Sequence, residues 1–103
     1  MLTQAGAISL VHQFIKELSG LGIPLESAWL FGSYAKGRAG DYSDIDVALV
    51  SNKFRGIRFQ DRSLLTSLLI RYVDLEPHPF NPDDFTDSQP FAREIRKTGI
   101  RIS

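Results

Sequence analysis

The sequence predicts an α/β protein, a small mixed sheet with helices packed on it. Three observations predict it. Two short apolar runs, Ser27-Ala28-Trp29-Leu30-Phe31 and Ile45-Asp46-Val47-Ala48-Leu49-Val50, have strand length and β-forming composition. Segments with apolar residues at helical spacing lie on either side of them. A length of 103 residues suits one domain with a modest core, spanning 1–103.

The first helix is expected from Thr3 to Ser19, where Ile8, Val11, Phe14 or Ile15, and Leu18 share one face. Gly20, Gly22 and Pro24 end it. The first strand runs from Ser27 to Phe31 and stops at Gly32. Ser33 to Arg38 is expected to form a turn with a short helical start. Ile45 to Val50 is the second strand. Asn52 to Arg58 reads as a basic loop, and Asp61 to Ile70 as a helix with Leu64, Leu65, Leu68 and Leu69 on its face. Asp61 is its cap or a first-turn residue. Arg71 to Glu76 alternates like a third strand, and Pro77, Pro79 and Pro82 predict an irregular segment after it. A last helix is expected from Pro90 to Thr98, with Gly99 as its stop.

Composition narrows the function. Lys+Arg and Asp+Glu number 12 each, a balance that argues against nonspecific nucleic-acid binding. The absence of cysteine excludes disulfides and thiolate metal sites. The first twenty residues lack the pattern of a signal peptide, and no stretch is apolar enough to span a bilayer, so a cytoplasmic protein is expected.

Gly32-Ser33 and Asp44-Ile45-Asp46 carry the chemistry. Two carboxylates two residues apart on a strand share a face. They repel unless a cation lies between them, and hard carboxylate oxygens suit Mg²⁺. A strand that ends in Gly-Ser before a helical turn offers backbone N–H groups and a hydroxyl to phosphate oxygens. Gly32 lets the backbone approach a phosphate closely. Gly32 and Asp44 are twelve residues apart, which puts cradle and clamp on adjacent strands. Asp74 and Glu76 offer a third carboxylate, for a second metal or as general base, and either can fill the role. Lys36 and Arg38 can neutralise phosphate charge. Gly32 and Gly37 have P-loop spacing, but Arg38-Ala39 stands where that loop needs Lys and Ser/Thr.

Phe31-Gly32-Ser33-Tyr34-Ala35-Lys36-Gly37 and Tyr42-Ser43-Asp44-Ile45-Asp46-Val47 resemble the core motif of the DNA polymerase beta-like nucleotidyltransferases. Together with Val73-Asp74-Leu75-Glu76-Pro77-His78-Pro79-Phe80 and Glu94 to Ile100, they resemble the minimal nucleotidyltransferases of the MntA-like antitoxin group. The resemblance implies that superfamily's fold. It implies transfer of a nucleoside monophosphate from ATP or another nucleoside triphosphate, with Asp44 and Asp46 as Mg²⁺ ligands. Gly32, Ser33 and Lys36 would contact the triphosphate. It points to Asp74 through Val73-Asp74-Leu75 and to Glu76 through Glu-Pro-His-Pro, with Asp74 slightly preferred as a further metal ligand. It also implies a helical HEPN-type toxin as partner and acceptor, in a homo- or hetero-oligomer. The rival reading is a binding module that neutralises a toxin by occlusion.

Overall fold

The first helix begins where a side chain can satisfy its orphan amides. In the computed structural model, which describes residues 2–103 with backbone alone at 58 and 59, Thr3 Oγ1 accepts from Gly6 N at 3.0 Å. Helix α1 (Gln4–Gly20) buries Ala7, Val11, Phe14 and Leu18, spaced three or four apart. It ends when Gly22 takes φ +81°. Gly22 N then donates to Ser19 O and Ile23 N to Leu18 O, both at 3.1 Å, closing the last carbonyls in a Schellman motif.

Four strands follow: β1 (Ser27–Phe31), β2 (Ile45–Val50), β3 (Leu75–Phe80) and β4 (Ile100–Arg101). Their spatial order is β3-β2-β1-β4. β1 runs antiparallel to both β2 and β4, and β2 runs parallel to β3, so the sheet is mixed as predicted. Ile45, Val47 and Leu49 of β2 point to the face covered by α1, and form the main core with Phe14, Leu18, Leu30 and Phe54. Ala48 and Val50 point to the other face, where helix α4 (Pro90–Thr98) adds Ala92 and Ile95 beside Phe85. Asp46 belongs to this second face by the strand period of two.

The structure moves the third strand. It was expected at Arg71 to Glu76 and forms instead at Leu75 to Phe80, across two prolines. The reason is its place at the edge of the sheet. Asp74 O and Phe80 O accept from Ile45 N and Ser51 N of the β2 side. Even-numbered residues of β3 therefore face β2, and Pro77 and Pro79 turn their donor-less nitrogens outward. No ladder bond is lost.

The leucine-rich segment also divides. A continuous helix from Asp61 to Ile70 was expected, but α2 (Arg58–Ser63) and α3 (Thr66–Leu69) are separate. Leu65 and Leu68 are buried while Leu64 and Ile70 are exposed. Asp61 is 2% exposed and is a first-turn residue of α2 rather than its cap. Its two oxygens accept from Arg55 N at 2.8 Å and Gly56 N at 2.9 Å, tying down the preceding loop.

β4 was not expected, because Gly99 was read only as a helix stop. Gly99 has φ −79°, not the left-handed value. A Cβ there would lie 2.5 Å from Ile95 O and 2.9 Å from Leu30 O, so glycine lets the chain leave α4 and enter the sheet against β1. Arg71 Nη1 bonds Glu17 Oε1 at 2.7 Å, pinning the turn before β3 to α1. Tyr72 and Arg71 together hold the Glu17 carboxyl below its ordinary range. Among the described residues no helix is long and apolar enough to cross a membrane.

Candidate active site

β1 ends at Phe31, and Gly32 follows at φ +75°. That left-handed residue redirects the chain into a single closed turn. Lys36 N donates to Gly32 O at 3.2 Å and Arg38 N to Ser33 O at 2.8 Å. Gly37 ends the turn at φ +69°. The expected helical start is thus one turn long. The leading amides of such a turn have no acceptor within it. Tyr34 is buried beneath it, and Gln4 Nε2 of α1 donates to Tyr34 O at 2.9 Å. The backbone around Ser33 is held from below, and Lys36 stands exposed above.

Asp46 lies under this turn. In register it sits opposite Phe31 on β1 and Glu76 on β3. A Cβ on Gly32 would collide with Asp46 Oδ2. The missing side chain is what lets the Gly-Ser turn and the carboxylate share one space. Asp46 is also bonded by His78 Nε2 through Oδ1 at 3.3 Å. His78 sits two residues beyond Glu76 on the same strand face. Phe31 and Phe91 flank its ring, with centroids at 4.9 and 5.8 Å.

The other acids are placed unequally. Asp44 lies one residue before β2 and is exposed. The bend leading to it is held by Ser43, whose Oγ accepts from Gly40 N at 2.8 Å. Glu76 is the cross-strand neighbour of Asp46, and Arg62 Nη1 bonds its Oε1 at 2.7 Å. Asp74 lies one residue before β3, and its carbonyl oxygen accepts from Ile45 N at 2.8 Å. It borders a separate cleft with Leu2, Tyr34 and Ser43. Tyr34 and Leu2 pack on the α1-side core.

Among the described residues no three His, Asp or Glu side chains are gathered tightly enough to hold a metal. A pair of hard carboxylates is nevertheless a fitting Mg²⁺ donor set, since that ion commonly takes one or two carboxylates and fills its shell with substrate phosphate and water. The close approach of Gly32 to Asp46 Oδ2, possible only without a Cβ, is compatible with that chemistry. Sequence reasoning did not single out His78 or Arg62 as site residues. Spacing from Glu76 was the available signal for His78, but only with β3 correctly placed.

The nucleotidyltransferase domain family matches residues 9–99, which include both the Gly-Ser turn and every acid described above. The chain belongs to that family. This nucleotidyltransferase is 32% identical over 98 residues to the probable protein adenylyltransferase MntA of Haemophilus influenzae, covering 92% of this chain and 77% of that protein. Its fold is similar to that of a Sulfolobus solfataricus protein assigned as a nucleotidyltransferase, with a TM-score of 0.66 at 23% identity over 95% of this chain and 80% of the other. It is also similar to a toxin–antitoxin structure containing AMP-PNP, with a TM-score of 0.61 at 19% identity over 93% and 72% of the two chains. A mutant MntA–HpeT toxin–antitoxin structure matches at a TM-score of 0.53 and 18% identity, over 99% and 73%. The mixed sheet with its helices is thus the nucleotidyltransferase fold.

Proposed function

We propose that this nucleotidyltransferase moves a nucleoside monophosphate, AMP from ATP, onto a hydroxyl of a partner protein. The observation that carries the reading is the contact between Gly32 and Asp46, which sets a glycine-serine turn suited to phosphate directly against a carboxylate. Asp44 and Asp46 would hold Mg²⁺, which when bound neutralises phosphate charge. The amides and hydroxyl at Ser33 bind the β- and γ-phosphates, and exposed Lys36 adds a positive charge.

The acceptor oxygen forms its bond to the α-phosphorus as the bond to the bridging α–β oxygen breaks. Pyrophosphate leaves with that electron pair. The hydroxyl proton passes to a carboxylate, and register favours Glu76 over Asp74 because Glu76 stands beside Asp46. Arg62, bonded to Glu76, orients it. His78 orients Asp46.

The MntA-named relative and the toxin–antitoxin neighbours support a toxin as the acceptor; the HEPN type of that toxin and a cytoplasmic setting are part of the proposal and rest on the sequence resemblance. The test is label transfer from ATP to the co-purified partner. α-Phosphate label is expected on the partner and γ-phosphate label is not. Asp46→Asn is expected to lower transfer at least about 100-fold, as loss of a charge-stabilising group does. Transfer of γ-label, or undiminished transfer by Asp46→Asn, would overturn the reading.

A second reading, neutralisation by occlusion, is favoured by one observation. Ile70 and Val73 are 73% and 77% exposed in the turn between α3 and β3, an apolar surface suited to a partner. Asp46→Asn separates the two, since occlusion survives that substitution and chemistry does not.

A further inference from the structure

Helix α4 carries its charge on one flank. Arg93, Arg96 and Lys97 are exposed and recur at spacings of three and four, beside the buried Ala92 and Ile95. With Asp87 they line a cleft of about 310 Å³. Arg96 also lines a second cleft, of about 230 Å³, with Trp29, Arg101 and Glu26. The two clefts therefore adjoin at Arg96. Four cations stand there against two carboxylates, in a chain whose charges balance overall. Both volumes lie at or below the lower end for small-molecule sites, which suits a surface that meets a macromolecule.

Two of the four cations are already held. Arg96 Nη1 donates to Phe85 O at 3.3 Å, and its Nε lies 3.4 Å from Asp87 Oδ1. Arg101 Nε donates to Ser103 O at 3.1 Å, and its guanidinium lies 5.6 Å from the centroid of the Trp29 ring. A side chain ordered beforehand loses less entropy when a partner arrives. Among the described residues neither Arg93 nor Lys97 has an ion-pair partner. Arginine beside tryptophan is also the composition that contributes most at protein interfaces.

The occupant must be anionic, and carboxylates fit better than a nucleic-acid strand. Asp87 and Glu26 interrupt the positive surface and repel an evenly charged phosphate chain. Trp29 offers no stacking platform, because its ring meets Arg101 and Phe85, the latter at 5.9 Å between centroids. Its Nε1 is committed to Ser27 Oγ at 3.1 Å. The flank is also close to the reacting centre. α4 begins with Phe91 packed on Phe31 and on His78, which bonds Asp46. Lys97 is six residues further on, about 9 Å along the helix axis.

We infer that the Arg93–Arg96–Lys97 flank of α4, continued by Arg101, docks an acidic segment of the acceptor protein and so sets which protein is modified. The inference rests on the nucleotidyl-transfer reading for the partner's being an acceptor, while docking is read separately. The test is calorimetric titration of the co-purified partner, once separated, into the full chain and two variants. Arg93→Gln/Lys97→Gln is expected to weaken partner binding about tenfold and to flatten its salt dependence. Both side chains are exposed and glutamine is a good helix former, so folding is preserved. Lys16→Glu changes net charge equally on exposed α1, across the sheet, and is expected to stay within about twofold. In transfer assays the double variant is expected to raise KM for the partner about tenfold and to change kcat less than roughly twofold. Unchanged partner binding in the double variant overturns the inference, as does an equal loss in Lys16→Glu, which would make the effect one of net charge. Single-stranded oligouridylate that binds the wild type and not the double variant also overturns it, giving the flank to RNA. Partner binding that depends on Arg93 and Lys97, with no transfer by the wild type, upholds the docking surface and instead rejects the transfer reading.

Discussion

Gly32→Ala is expected to lose about 2–4 kcal/mol of stability and nearly all transfer activity. Two separate penalties meet at this position. The residue has φ +75°, a left-handed value that costs an L side chain about 1–2 kcal/mol. The new methyl group would also occupy the position of Asp46 Oδ2. Asp46 must then rotate, leaving its bond with His78 and the space beside Ser33. Because the proposed chemistry uses that carboxylate where it stands, transfer should fall at least about 100-fold. Gly37→Ala is the matched control. Gly37 has φ +69°, but nothing lies within 4 Å of a Cβ there. It should show the backbone penalty alone, with transfer changed by no more than roughly threefold. Thermal melts and label transfer on both variants check the pair. Equal activity losses in the two would show that backbone conformation, not the Asp46 contact, is what matters.

Asp61→Ala is expected to destabilise the protein by about 2–4 kcal/mol in urea unfolding. Asp61 is 2% exposed and supplies the acceptors for two backbone amides, Arg55 and Gly56. Alanine leaves both donors without that partner in a partly buried loop, and hydrogen bonds to a charged group contribute about 1.5–3 kcal/mol each. Asp61→Asn keeps one amide oxygen as acceptor but sets an N–H₂ against the second donor, so it should recover only part of the loss. The effect reaches the site through a neighbour. Arg62, adjacent to Asp61, holds Glu76. A change below about 0.5 kcal/mol in Asp61→Ala would place this carboxylate among surface groups of no consequence.

The parts of the site legible in the sequence are those set by short-range chemistry. Gly32-Ser33 at a strand end and Asp46 near a strand start follow from local composition, and both strands form where apolar, β-branched runs put them. What the sequence left open depends on strand order. Pro77 and Pro79 forbid a central strand and permit an edge one, and nothing local says which strand is the edge. That single uncertainty displaced β3 and so left Asp74 and Glu76 undecided, because only the register with β2 sets Glu76 beside Asp46. It also hid His78, which reaches Asp46 across the same pair of strands. β4 is two residues long and exists through pairing with β1, so no periodicity could announce it. Asp61 bonds the amides of Arg55 and Gly56, a tertiary role that helical spacing does not announce.

Backbone amide chemical shifts, followed by NMR during titration with MgATP, test the shared space of Gly32 and Asp46 most directly. The account predicts the largest changes at the amides of Ser33 and Tyr34 and along Asp46 to Val47, with the Ser33 response lost in Asp46→Asn. Saturating MgATP that leaves Ser33 and Tyr34 unmoved, or that shifts them equally in Asp46→Asn, would contradict it.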